Sequence, residues 1–151
     1  MKLLGPKTPV AQAEENPPAR IAVRLPKPLI AKMEAYHKPK EKSAWVAEAL
    51  EDLLARETYK TANWSEPNEA TEVFLAMLSL NERMKDSQPD VIILPARVNK
   101  ALATAVSNIS RLGLENSKSL RPALIRAAIR QRLVLGGRRW SNVTIPELDI
   151  D

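Results

Sequence analysis

At 151 residues, 44% hydrophobic but only 4% aromatic, the chain is long enough for one compact domain with an aliphatic core and tails. It has no cysteine, which excludes disulfides, thiolate zinc sites and a cysteine nucleophile. Its net charge of +5 is unevenly spread, with ten basic residues and one acidic residue (Glu115) between Val91 and Trp140, but two basic and five acidic residues between Thr61 and Pro89. Those local charges of +9 and −3 point to a polyanionic partner facing one surface; the plainer reading is a set of solvated helix faces.

Residues 1–19 carry Pro6, Pro9, Pro17 and Pro18 and read as a flexible arm. Lys2 is followed by no apolar core of the secretory kind, and no apolar run in the chain approaches membrane-spanning length. A cytoplasmic location without membrane contact is therefore expected.

Arg20-Ile21-Ala22-Val23-Arg24-Leu25 alternates, with Ile21, Val23 and Leu25 on one face and Arg20, Ala22 and Arg24 on the other. Period two predicts a strand with one buried face. Pro26 and Pro28 end it and suit the first turn of a helix, where a missing N–H costs nothing. Leu29, Met33 and Tyr36 continue at helical spacing until Lys38-Pro39-Lys40. A second helix is expected from Ser43, a good N-cap residue, with a wide stripe of Trp45, Val46, Ala49, Leu50, Leu53 and Leu54.

A third helical pattern covers Ser65 to Lys85, with Ala70, Val73, Phe74, Met77, Leu78 and Met84 as its apolar positions, before a turn at Asp86-Ser87-Gln88-Pro89. About 18 helical residues would span roughly 27 Å, enough to return the chain across a small domain. The run Asp90-Val91-Ile92-Ile93-Leu94-Pro95 reads as a second strand, and Val98, Leu102, Ala105, Ile109 and Leu112 as a helix stopped by Gly113. A last helix carries Leu124, Ile125, Ala128, Ile129 and Leu133 and ends at Gly136-Gly137. The segment from Arg138 to Asp151 is expected to be loosely ordered.

The order strand, helix, helix thus occurs twice. A shift of 69 places Leu25, Pro26, Leu29, Met33 and Tyr36 on Leu94, Pro95, Val98, Leu102 and Ala105. A shift of 79 places Trp45, Val46, Ala49, Leu50 and Leu54 on Leu124, Ile125, Ala128, Ile129 and Leu133, so the second unit carries ten extra residues. One unit alone leaves strand edges unpaired and has little core, whereas two can pair their strands over four helices. The expected fold is mainly α with a two-stranded antiparallel ribbon, organised as arm 1–19, first unit 20–57, connector with an extra helix 58–89, second unit 90–135 and tail 136–151. Residues 20–135 would make one intramolecular domain.

Little suggests catalysis. His37 is the single histidine and lies among lysines at a helix end; no glycine-rich phosphate loop is present; Glu48, Glu51 and Asp52 read as a solvent face. No catalytic residue, metal site or cofactor is expected. Trp45 reads as core and Trp64 as a loop anchor, while Trp140 beside Arg138 and Arg139 is either a docking aromatic or a poorly packed tail residue.

The stretch Arg20-Ile21-Ala22-Val23-Arg24-Leu25-Pro26 resembles the strand of plasmid copy-number repressors of the ribbon-helix-helix superfamily, and Lys42-Ser43-Ala44-Trp45-Val46-Ala47-Glu48-Ala49-Leu50 resembles the start of their second helix. Leu124-Ile125-Arg126-Ala127-Ala128-Ile129 is similar to the same helix in a second unit. Two units in one chain, a single-chain pseudo-dimer, resemble TraY-type conjugation proteins. Leu112-Gly113-Leu114-Glu115 and Ser117-Lys118-Ser119-Leu120 look more like the virulence-C family that binds the overdrive element beside the T-DNA border.

The resemblance implies double-stranded DNA as partner, with the ribbon in the major groove and its outward side chains on base edges. Carried over, the base readers are Arg20, Ala22 and Arg24 with Val91 and Ile93, the last two apolar where the superfamily is usually polar. They could meet thymine methyls or be covered by protein. A strand running on to Val98 with Asn99 as cap would instead turn Arg97 outward. Second-helix N-termini hold phosphates in this superfamily, which assigns Lys42 and Ser43 in the first unit and Lys118, Ser119 and Arg121 in the second; plain capping is the alternative for the serines. The implied role is an accessory of plasmid or T-DNA transfer, with a relaxase or another transfer-complex protein as further partner. Such a protein would be monomeric in solution, with more than one copy on DNA left open. A copy-number or antitoxin-type repressor, or an adaptor using its basic surface on an acidic protein, are the alternatives.

Overall fold

In a computed structural model, which describes residues 17–80, 82, 84–114 and 119–140, two eight-residue strands pair antiparallel. They are β1 (Ala19–Pro26) and β2 (Ser87–Leu94). Between them come α1 (Lys27–Met33), a 3-10 turn (Pro39–Glu41), α2 (Lys42–Leu54), α3 (Glu57–Lys60) and α4 (Glu69–Ala76); after β2 come α5 (Ala96–Ser110) and α6 (Leu120–Val134). The described part is mainly helical, and none of its helices is long and apolar enough to cross a membrane.

Alternation sets which face of the ribbon is sealed. Ile21, Val23 and Leu25 from β1 and Ile92 and Leu94 from β2 are buried over the helices, whereas Arg20, Ala22, Arg24, Pro89, Val91 and Ile93 are exposed. Each full burial of such an aliphatic side chain stabilises by about 1.5–3 kcal/mol, so a one-residue slip, which would turn the whole set outward, is strongly disfavoured. The register places Ala19 opposite Leu94, Arg20 opposite Ile93, Ala22 opposite Val91 and Arg24 opposite Pro89.

The two Leu-Pro junctions do the same structural task. Leu25 and Leu94 are fully buried, and Pro26 and Pro95 precede α1 and α5 with nearly equal dihedrals (φ −57°, ψ 137° and φ −56°, ψ 150°). A proline there has no N–H to offer the ladder and its fixed φ prepares the following helical turn. β2 therefore ends at Leu94, which excludes the alternative in which the strand continues to Val98. The 69-residue shift also holds between Lys27 and Ala96, the first residues of α1 and α5, and α5 is eight residues longer than α1 (15 against 7). Most of the ten extra residues of the second unit thus lengthen its first helix.

α2 and α6 pack against each other at the centre of the core. Trp45, Val46, Ala49 and Leu50 on α2, and their shifted counterparts Leu124, Ile125, Ala128 and Ile129 on α6, are all buried, as the wide stripes require. Gly113, Gly136 and Gly137 take left-handed φ values of 71°, 71° and 81° after α5 and α6. At Gly137 an added Cβ would stand 2.4 Å from Tyr36 Cδ1, so this glycine also admits the tyrosine ring.

Several sequence expectations need correction. The third helix does not run from Ser65 to Lys85; it is the eight residues Glu69–Ala76, about 12 Å long, too short for the 27 Å return. Asn63 Oδ1 accepts the N–H groups of Ser65 and Glu66, which forms a turn there, and Asn68 caps the helix by accepting from Thr71 N at 2.9 Å. Ser79 at φ 49° lies beyond its far end. The expected turn at Ser87 to Pro89 is instead the start of β2; Pro89 is tolerated because its missing N–H would point away from β1. α1 stops at Met33, leaving Tyr36 in the following turn and 47% exposed. Ser43 is not the cap of α2, which begins one residue earlier after the 3-10 turn. The start of the tail is pinned rather than loose: Arg139 Nε and Nη2 each donate to Asp52 at 3.0 Å, and Trp140 N donates to the same carboxylate at 2.9 Å.

Candidate nucleic-acid interface

The exposed face of the ribbon is built by both strands. Arg20, Ala22 and Arg24 project from β1 beside Ile93, Val91 and Pro89 from β2. Arg20 forms no ion pair or hydrogen bond through its side chain among the described residues. Arg24 lies along the ribbon end, with Nε donating to Ser87 Oγ at 3.0 Å and Nη2 to the Ser87 carbonyl at 2.9 Å. Two of its five N–H groups are used, leaving three to present outward. Val91 and Ile93 are 40% and 41% exposed.

Each second helix meets the strand of the other half of the chain. Ser43 Oγ of α2 accepts the Ile93 N–H of β2 at 2.9 Å, and Arg126 Nη1 of α6 donates to the Arg24 carbonyl of β1 at 3.2 Å. Among the described residues Ser43 Oγ donates no hydrogen bond, which leaves its hydroxyl proton for an external acceptor. Lys42 Nζ sits 2.6 Å from Asp90 Oδ1, with 28% and 15% of the two side chains exposed, so this ammonium already has a carboxylate partner. On the other side, Ser119 precedes α6 with no side-chain capping bond, and both it and Arg121 are exposed. Lys118 lies outside the described residues.

The basic excess of the second half is substantially met from within the chain. Glu82 pairs with Arg126 Nε at 3.3 Å and with Arg130; Arg132 pairs with Glu48 at 2.9 Å, Arg97 with Glu51 at 2.8 Å, and Arg139 with Asp52 at 3.0 Å. Among the described residues, five of the basic side chains between Val91 and Trp140 are therefore ion-paired, a correction to reading their sum as a free positive surface. Lys100, Arg111, Arg121 and Arg138 form no ion pair among the described residues. Burial pulls the Arg126 guanidinium below its ordinary value against the attraction of Glu82, while the hydrogen bond to Asp52 raises Arg139. Both remain cations at neutral pH.

Sequence reasoning missed Ser87, Asp90, Glu82 and Arg126. Asp90 did carry a signal: it takes an inward position of β2, two residues before Ile92, where a carboxylate requires a partner. Glu82 and Arg126 are 44 residues apart and announce nothing locally. Trp64, expected as a loop anchor, is buried against Tyr59 and Phe74 at ring separations of 5.7 and 6.0 Å, and Trp45 is core. Trp140 stays 40% exposed with Arg56 over its ring at 5.3 Å. His37 is half-buried against Trp45, and no group of three or more metal-ligating side chains occurs among the described residues. Comparison of the chain with protein-family models, curated proteins and solved structures found no match.

Proposed function

We propose that the chain binds double-stranded DNA as a single-chain ribbon-helix-helix pseudo-dimer, inserting its two-stranded ribbon into the major groove. The observation that carries this reading is the ribbon itself. Its inner face is sealed by Ile21, Val23, Leu25, Ile92 and Leu94, its outer face is open, and Arg20 and Arg24 stand at opposite ends of that open face. A two-stranded ribbon fits the major groove, and an arginine can bond O6 and N7 of guanine together.

The register supports the pseudo-dimer. Residues related by the 69-residue shift exchange places across the ribbon: Arg20 faces Ile93 while Arg24, the counterpart of Ile93, faces Pro89, the counterpart of Arg20. Reciprocal crossing of α2 to β2 and α6 to β1 supports it as well. In this reading the protein acts by binding alone, without catalytic residue or cofactor, as a monomer that carries both halves of a dimer. Arg20, Ala22, Arg24, Val91 and Ile93 meet base edges, and Lys42, Ser43, Ser119 and Arg121 meet phosphates, with Lys118 assigned to the same role by the family resemblance alone. The role as an accessory of plasmid or T-DNA transfer, with a relaxase-type partner, rests on the family resemblance. The antitoxin alternative needs a segment free to wrap a toxin, and the candidate segment is used internally, with Phe74 and Leu78 fully buried.

The test is selection of bound duplexes from a random library by the purified protein and by its Arg20→Ala, Arg24→Ala variant. The expected result is an enriched motif that the variant no longer selects, with affinity falling steeply as salt rises. Failure of the parent protein to enrich any duplex would overturn the reading.

A further inference from the structure

The outer face of the ribbon is chemically divided. β1 presents Arg20, Ala22 and Arg24; β2 presents Pro89, Val91 and Ile93, none with a hydrogen-bonding side chain, while Ser87 at the ribbon end is buried beneath Arg24. Two branched aliphatic side chains left 40% and 41% exposed on a face that also bears two arginines match an apolar surface that coexists with strong acceptors. The major-groove edge of DNA supplies both: thymine carries a methyl group there, and guanine carries two acceptors.

Taking the DNA-binding reading as its basis, we propose that Val91 and Ile93 recognise thymine 5-methyl groups next to guanines contacted by Arg20 and Arg24. The ribbon would thus read an asymmetric site, polar contacts from one strand and methyl contacts from the other. Strand addition by a second protein chain is disfavoured as the explanation for the exposed pair. The N–H groups of Val91 and Ile93 on the outer edge of β2 are already taken, the first by Asp90 Oδ1 at 2.8 Å and the second by Ser43 Oγ at 2.9 Å. These two outward N–H groups are thus occupied, while the ribbon face is exposed. At the centre of that face Ala22 stands opposite Val91, and its small side chain lets the flat edge of a base pair approach the valine.

Spacing makes the proposal specific. Residues two apart in a strand are about 6.8 Å apart along it, close to two base-pair steps of about 3.4 Å. A β2 strand following the groove therefore places Val91 and Ile93 over thymines two steps apart. Arg20, directly across from Ile93, reaches a base neighbouring the thymine beneath Ile93.

Deoxyuridine in place of thymine removes the methyl group and leaves the Watson–Crick edge intact. The test takes the duplex enriched by selection, replaces each thymine singly with deoxyuridine, and measures Kd for the full-length parent and for the Val91→Ala, Ile93→Ala variant. The expected result is roughly fourfold weaker binding at each of two thymines two steps apart, the effect of one lost buried methyl. The variant should bind the thymine and uracil duplexes equally. Circular dichroism checks that the ribbon persists, and Ile93→Thr, which keeps the β-branch, replaces the double alanine variant should the fold be lost. Equal binding of both duplexes by the parent would overturn the methyl contact while leaving DNA binding intact. An equal uracil penalty in parent and variant would also overturn it, because the methyl would then act through DNA shape. Enrichment of no duplex would remove the underlying reading and this inference together.

Discussion

Ala22 stands directly opposite Val91 in the ribbon, and the two are separated in sequence by 69 residues, the same offset that relates Leu25-Pro26 to Leu94-Pro95. A residue facing its own repeat counterpart is what a twofold axis through that pair requires. The agreement connects a sequence repeat to a pairing register, two quantities that need not coincide. It supports the pseudo-dimer on grounds independent of the family resemblance.

The ion pair that ties the connector to α6 should matter greatly for stability. Arg126 and Glu82 have only 7% and 18% of their side chains exposed. Removing one partner leaves the other charge poorly solvated, so Glu82→Ala should destabilise by about 3 kcal/mol. Urea denaturation measures it. Adding Arg126→Met to that variant should recover part of the loss; no recovery would mean that Glu82 acts mainly through Arg130.

Ser43→Ala should cost about 1 kcal/mol in the absence of DNA, because the Ile93 N–H loses its acceptor. Thermal unfolding without ligand reads this contribution, and a Kd against duplex DNA reads any phosphate contact separately. An unchanged melting temperature would show that water replaces the hydroxyl at no cost.

Gly137→Ala should destabilise by at least 1–2 kcal/mol, roughly the cost of a left-handed conformation for an L-residue, plus the contact between its Cβ and Tyr36. Combining it with Tyr36→Ala should relieve the contact and leave the backbone cost. Equal stability of Gly137→Ala and the parent would contradict the observed geometry.

Asp52→Ala should free the chain end at Arg139 and Trp140, since one carboxylate accepts from both. Its cost should be about 1.5–3 kcal/mol, the range for hydrogen bonds to a charged group. Limited proteolysis should then cut near Arg138 or Arg139 faster than in the parent. Unchanged cleavage would mean that the contact of Trp140 with Arg56 holds this segment by itself.

Much of this architecture was legible in the sequence because it rests on short-range pattern. Period-two alternation marks β1, prolines mark both strand-to-helix junctions, and glycines mark the ends of α5 and α6. The α4 region was misread because Phe74 and Leu78 keep helical spacing although the helix ends at Ala76. Periodicity reports burial, and buried residues need not be helical throughout. The outward residues Arg20, Ala22, Arg24, Val91 and Ile93 were also legible, since alternation alone decides which face a strand residue occupies. Charge was not. The partners of Arg97, Arg126, Arg130, Arg132 and Arg139 are Glu82 and the acidic residues of α2, all 44 residues or more away in sequence. A local sum of charge counts such cations as free.

In the proposed complex the ribbon face, not the remaining basic surface, meets DNA. Backbone amide shifts of the isotope-labelled protein, followed by NMR as an enriched duplex is added, test it most directly. Contact through the ribbon requires the largest changes at Arg20–Arg24 and Val91–Ile93, with α4 unaffected. Changes concentrated on Lys100 and Arg111 of the α5 region, with the ribbon amides unmoved, would contradict it.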